Sequence, residues 1–118
     1  MAKENYYENY FLRQYNAAPE TRRASLEHWE KLHKENKALK RFDLVIFSAE
    51  HIRAIKAAET ISAYMDNALV FFEINTEKSL YSFDFFDAPR ETFETYAAAA
   101  AFAEYNLNEM RKIDNENC

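Results

Sequence analysis

Apolar residues recur at spacings of three and four along most of this chain and switch to alternation in one stretch, a pattern that predicts helices on either side of a β-hairpin. Residues 4–15 read as a first helix, with Tyr6 and Tyr10 on one i,i+4 line and Tyr7, Phe11 and Tyr15 on another. Asn16-Ala17-Ala18 breaks the pattern. Pro19, whose missing N–H is no loss in a first turn, opens a second helix that runs to about Leu39 with Glu20 near its start. Leu26, Trp29, Leu32, His33, Asn36 and Leu39 make a narrow buried stripe on it. Residues 43–47 suit either a strand or the opening turns of a helix, and helix is favoured. From Ser48 as N-cap, Ile52, Ile55, Ala58, Ile61 and Met65 keep helical spacing to a C-cap at Asn67.

The hairpin is the clearest local signal, with Ala68 to Ile74 and Ser79 to Phe86 flanking the polar loop Asn75-Thr76-Glu77-Lys78. The expected register sets Val70, Phe72 and Ile74 opposite Phe83, Tyr81 and Ser79 on a core face. The other face, Leu69, Phe71 and Glu73 with Asp84, Ser82 and Leu80, is mixed and half exposed. Asp87 is expected to cap a last helix, with Pro89, Glu91 and Glu94 in its first turns. Phe93, Tyr96, Ala100, Ala103, Leu107 and Met110 form its apolar face, the run Ala97 to Ala101 permits close packing, and residues 113–118 fray. The prediction is an α+β fold, a single domain over residues 1–118, mostly helical, with about four helices and one antiparallel hairpin near residues 68–86.

Composition narrows the chemistry. The chain has 118 residues, 48% apolar and 16% aromatic, enough for one core. It contains no glycine, so a P-loop, a dinucleotide-binding turn, a nucleophile elbow and an EF-hand loop in standard form are excluded. Left-handed turn positions fall to asparagine, with Asn16, Asn67 and Asn75 standing at the breaks. The single cysteine, Cys118, allows no intrachain disulfide and points to a reducing compartment. Residues 1–7 lack the apolar core of a secretory signal and no stretch is long enough to span a bilayer, so a soluble, cytoplasmic protein with no membrane partner is expected, in the host cytoplasm for a phage-encoded chain.

No catalytic, metal or cofactor site emerges. His28 and His33 are five apart and face different ways, and His51 has no sequence partner. Asp84, Asp87, Glu91 and Glu94 cluster locally, yet capping and helix-dipole roles account for three of the four. Lys31, Lys34, Lys37, Lys40 and Arg41 form a basic stripe that could meet phosphates, although cations also belong near a helix C-terminus and the chain is net −5. A hairpin followed by a helix resembles modules that place a sheet in the DNA major groove, but Glu73 and Asp84 stand where such a module needs Arg or Lys. Tyr6, Tyr7, Tyr10, Phe11 and Tyr15 form an aromatic stripe too broad for one face, which makes them the candidate partner-binding surface.

These observations favour a small acidic interaction protein, not an enzyme, that acts as a stoichiometric inhibitor or occluder of another macromolecule in the manner of phage anti-defence, anti-CRISPR, immunity or antitoxin proteins. The expected partner is a protein, with a nucleic-acid-processing enzyme or effector complex as the target class for an acidic surface. The alternatives are an accessory nucleic-acid-binding protein using the basic stripe, and a small enzyme or a structural subunit, including a homodimer.

Overall fold

The computed structural model describes residues 6–116, with side chains to residue 114. The order of elements is α1 (Tyr6–Asn16), α2 (Pro19–Ala38), α3 (Phe42–Asn67), β1 (Val70–Asn75), β2 (Leu80–Phe85), β3 (Glu91–Phe93) and α4 (Tyr96–Glu116). The fold is α+β, four helices and one three-stranded antiparallel sheet of order β1-β2-β3. It divides into two compact units, Met1–Glu59 and Thr60–Cys118, with α3 running through the boundary.

In the first unit, α1, α2 and the start of α3 are joined by short turns. Pro19 opens α2 as its position predicts, and Ala18 in extended conformation accepts the first helical bond from Arg22 N–H at 3.0 Å. The buried Arg22 guanidinium turns back onto the end of α1, donating to the carbonyls of Gln14, Tyr15 and Ala17 at 2.9, 3.4 and 3.2 Å. Gln14 O also accepts Ala17 N–H at 3.2 Å, and the Tyr15 and Ala17 carbonyls lie at a helix end with no continuing turn, so one cation closes the chain reversal. α2 ends in a Schellman turn. Lys40 N–H donates to Lys37 O (3.2 Å) and Arg41 N–H to Asn36 O (2.9 Å), with Lys40 at φ 57°.

α3 begins at Phe42, so residues 43–47 are helix. Ser48 is not the N-cap expected of it. It lies one turn and a half inside, fully buried, its hydroxyl donating back to Leu44 O (2.9 Å) and Val45 O (3.1 Å). Ser48, His51, Ile55, Ala58 and Ile61 are all sealed from solvent at steps of three and four, while Ile52 and Met65 are half-buried.

In the second unit the hairpin register pairs Val70 with Phe85, Phe72 with Phe83 and Ile74 with Tyr81. This differs by two residues from the register read off the sequence. The four turn residues are 76–79 rather than 75–78, because Asn75 stays in β1 opposite Leu80 and its Oδ1 accepts Lys78 N–H at 3.1 Å. A shift of two preserves the side-chain alternation, so the faces are as expected. The inner one carries Phe72, Tyr81 and Phe83, all buried. Phe83 meets Tyr64, Phe72, Phe93 and Phe102 at centroid separations of 5.5, 5.0, 6.2 and 5.2 Å. Burial of such a ring contributes about 1.5–3 kcal/mol.

The stretch after the hairpin departs from expectation. Asp87 caps nothing; residues 91–93 form a third strand, Phe93 opposite Tyr81 and Thr92 opposite Ser82, whose hydroxyls lie 3.1 Å apart. Cross-strand pairing of Thr and Phe, both good strand formers, outweighs the weak helical signal of Pro89, Glu91 and Glu94. The cap is Thr95, whose Oγ1 accepts Ala98 N–H at 3.0 Å. α4 then buries Tyr96, Ala99, Ala103 and Leu107 and continues to Glu116, past the point at which fraying is predicted. Cys118 lies outside the described residues, as do Glu4 and Asn5 of the expected first helix.

Nor does asparagine hold the left-handed positions. Among the described residues these are Lys40 and Ser79, at φ 57° and 53°, whereas Asn16 and Asn67 donate to carbonyls four residues back, Leu12 O and Ala63 O. A side-chain-bearing residue at such φ costs about 1 kcal/mol relative to glycine. Lys40→Gly is therefore expected to raise the denaturation midpoint by the equivalent of about 0.5–1 kcal/mol, and a fall would show that the Schellman turn is not in place. Thr95→Ala should cost about 1 kcal/mol and Asp87→Ala less than about 0.5. Equal losses in chemical denaturation would contradict the start of α4.

Candidate functional site

The aromatic stripe of α1 turns inward on a histidine. His51 is 0% exposed and sits among Trp29, stacked at 3.8 Å between centroids, Phe47 at 4.4 Å, Tyr10 at 4.6 Å, and Tyr6 and Tyr7 each at 5.5 Å. Both ring nitrogens are bonded. Nδ1 lies 2.8 Å from Phe47 O, which only accepts, so Nδ1 carries the proton; Nε2, 2.8 Å from Tyr6 Oη, accepts from the phenol. Helical spacing puts Phe47 and His51 on one face of α3, and the i,i+4 line of Tyr6 and Tyr10 brings α1 against it.

The five residues of the stripe thus divide. Phe11 is fully buried and offers no outer surface, Tyr7, Tyr10 and Tyr15 are half-buried, and Tyr6 is exposed while bonded to His51. Burial raises the phenol pKa of Tyr7 and Tyr10 above 10. A second polar link joins α2 and α3: His33 Nδ1 lies 2.8 Å from Ser48 Oγ, and Asn36 Nδ2 donates to Leu44 O at 3.2 Å. Ser48 is sealed from solvent, so this histidine–serine pair has no access to a substrate and works as a clasp. His28 is exposed beside Trp29.

The basic stripe lies where the sequence puts it. Lys31, Lys34 and Lys37 on α2 and Lys40 and Arg41 in the following turn are all exposed. The carboxylates predicted to cluster do not converge. Asp84 is gripped by Arg90, with Nε–Oδ1 2.7 Å and Nη2–Oδ2 2.6 Å, and the same guanidinium reaches Glu73 at 3.0 Å. Among the described residues no group of three or more His, Cys, Asp or Glu is gathered as a metal would require.

A surface not singled out from sequence lies on the outer face of the sheet. Leu69, Phe71 and Phe86 are 88%, 71% and 92% exposed, and with Ala68, Val70, Glu73, Asp84 and Phe85 they border an open concavity of about 510 Å³. Its signal was present: alternation in β1 puts Leu69 and Phe71 on the face away from Phe72. None of the family models, curated proteins or solved structures compared with this chain matches it. Among the described residues no helix is long and apolar enough to cross a membrane.

The His51 box has a pH consequence. Burial holds its imidazole below the ordinary 6.5, against the smaller upward pull of the Phe47 carbonyl and the Glu50 carboxylate. Among the described residues α1 presents to it the phenols of Tyr6, Tyr7 and Tyr10, and α2 the Trp29 indole. Below about pH 6.5 the unfolded chain therefore holds more protons than the folded one, and stability falls with pH until the folded-state pKa is passed. Urea midpoints should decline between about pH 7 and 5.5, and His51→Phe should flatten that decline. An identical decline in the variant would assign it to other groups.

Proposed function

We propose that this chain is a protein-interaction domain that acts as a stoichiometric inhibitor or occluder of another macromolecule, of the phage anti-defence, anti-CRISPR, immunity or antitoxin kind, and that the outer face of the sheet is the surface that docks. The observation that carries this reading is the exposure of Leu69, Phe71 and Phe86 together around a concavity, rimmed by the Glu73–Arg90–Asp84 ion pairs. Large apolar groups grouped in a hollow with a polar rim are how a binding hot spot is built, an anchor from the partner filling the hollow while the rim excludes water.

Charge supports a cationic target. Residues 60–118 carry four basic side chains against eleven acidic ones, whereas residues 1–59 carry eleven against nine. Arg90 neutralises part of the carboxylate at the rim and leaves the unit as a whole strongly negative. An acidic unit with an apolar anchor site fits the positively charged channel of a nucleic-acid-processing enzyme, where charge governs the rate and register of docking and the buried rings govern residence. The cytoplasm of a host cell is the matching setting.

The test is capture of partners from a host lysate treated with nuclease, run with the wild type and with Phe71→Ser/Phe86→Ser. Both positions are largely exposed, so the variant should melt like the wild type. A stoichiometric protein held by the wild type and lost at least tenfold in the variant is the expected result. Retention unchanged in the variant, or capture abolished by nuclease alone, would overturn the assignment.

A further inference from the structure

The corner between α2 and α3 carries a second surface of different character. Residues 39–44 are exposed without interruption, and Phe42 and Ile46 one helical turn apart on α3 are 71% and 65% exposed. Leu39 adds a third large apolar side chain at the tip. Lys31, Lys34 and Lys37 along α2 and Lys40 and Arg41 in the turn are all exposed, and none of them makes an ion pair among the described residues. Between residues 31 and 47 five cations face only two acids, Glu35 and Asp43, in a chain that is net −5. The corner is held in one shape by the Schellman turn, by Asn36 on Leu44 O and by His33 on Ser48.

From this combination we propose that the α2–α3 corner docks on an anionic phospholipid surface, with Leu39, Phe42 and Ile46 entering the headgroup–acyl boundary and the lysines and Arg41 meeting the headgroup phosphates. The inference does not depend on the sheet face and goes beyond it. A nucleic acid would satisfy the cations but leave three large apolar side chains facing phosphate and water. A bilayer interface offers anionic headgroups directly above apolar chains, which is the chemistry of the corner turned inside out. An exposed tip needs no matching hollow in so soft a partner, and a corner already fixed by hydrogen bonds loses little freedom on docking. Among the described residues no helix is long and apolar enough to cross a membrane, and peripheral docking requires none.

The experiment is flotation of the full chain with vesicles of phosphatidylcholine alone and of phosphatidylcholine with phosphatidylserine, at low and near-physiological salt, beside binding to a DNA duplex. The expected result is flotation with the phosphatidylserine vesicles only, weakened by salt. Phe42→Ser/Ile46→Ser and Lys40→Glu/Arg41→Glu should each weaken it at least tenfold in a chain whose circular dichroism shows it still folded. Absence of flotation with anionic vesicles overturns the proposal. So does duplex binding that needs Lys40 and Arg41 but tolerates loss of Phe42 and Ile46, which would give the stripe to nucleic acid.

Discussion

Without a single glycine, every reversal of this chain must be made by a residue that carries a Cβ, and that constraint shapes both of its exposed surfaces. At the α2–α3 corner the left-handed position of a Schellman turn, where glycine is the usual occupant, is filled by Lys40. The strain brings a charge with it: a position that would otherwise be bare backbone presents an ammonium at the tip, beside Leu39 and Phe42. In the hairpin Ser79 takes the same conformation and closes the four-residue turn, and this fixes the register that sets Phe71 opposite Asp84. Turn chemistry, a local matter, decides which side chains meet solvent together.

The first unit answers a different difficulty. Three helices with amphipathic stripes could slide or rotate against one another while keeping apolar contact, because dispersion and area burial have little directionality. Here the directional contacts are polar and wholly or partly buried: Arg22 on the end of α1, His33 on Ser48, Asn36 on Leu44 O, and Tyr6 on His51. Each is satisfied by a partner on another helix or at a helix end, and displacement would leave a desolvated donor or acceptor unpaired at a cost of about 1–3 kcal/mol. We read these four links as what selects one packing of α1, α2 and α3 from several of similar apolar area. The His51 box is the most demanding, since its single neutral tautomer must be matched on both sides.

Much of this fold was legible in the sequence. Periodicity located α2 to within a residue and found the two strands of the hairpin with the correct alternation of faces, while residues 43–47 read as strand or helix with helix favoured, and they are helix. What it missed has identifiable causes. β3 and the delayed start of α4 depend on Thr92 meeting Ser82 and Phe93 meeting Tyr81, pairings ten and twelve residues apart that outrank the helical reading of Pro89, Glu91 and Glu94. The breadth of the α1 stripe was visible, but not its purpose, because the group it encloses, His51, lies 45 residues from Tyr6. For the same reason Ser48 looked like a cap: its real partner is a histidine on the preceding helix.

The two apolar exposures are alike in kind and opposite in electrostatic setting. The net charge conceals this, since it averages a mildly basic first unit with a strongly acidic second one. Long-range attraction selects what approaches a surface, whereas buried apolar area holds what has arrived. Leu69, Phe71 and Phe86 lie in an acidic unit and should meet cationic company; Leu39, Phe42 and Ile46 lie among unpaired lysines and should meet anions. Equal apolar area at the two places would therefore not mean equal partners, and a ligand suited to one would be repelled by the other. Arg90 refines the contrast: from the segment before β3 it draws together Glu73 of β1 and Asp84 of β2, so that these two carboxylates at the rim of the sheet face are held by one guanidinium.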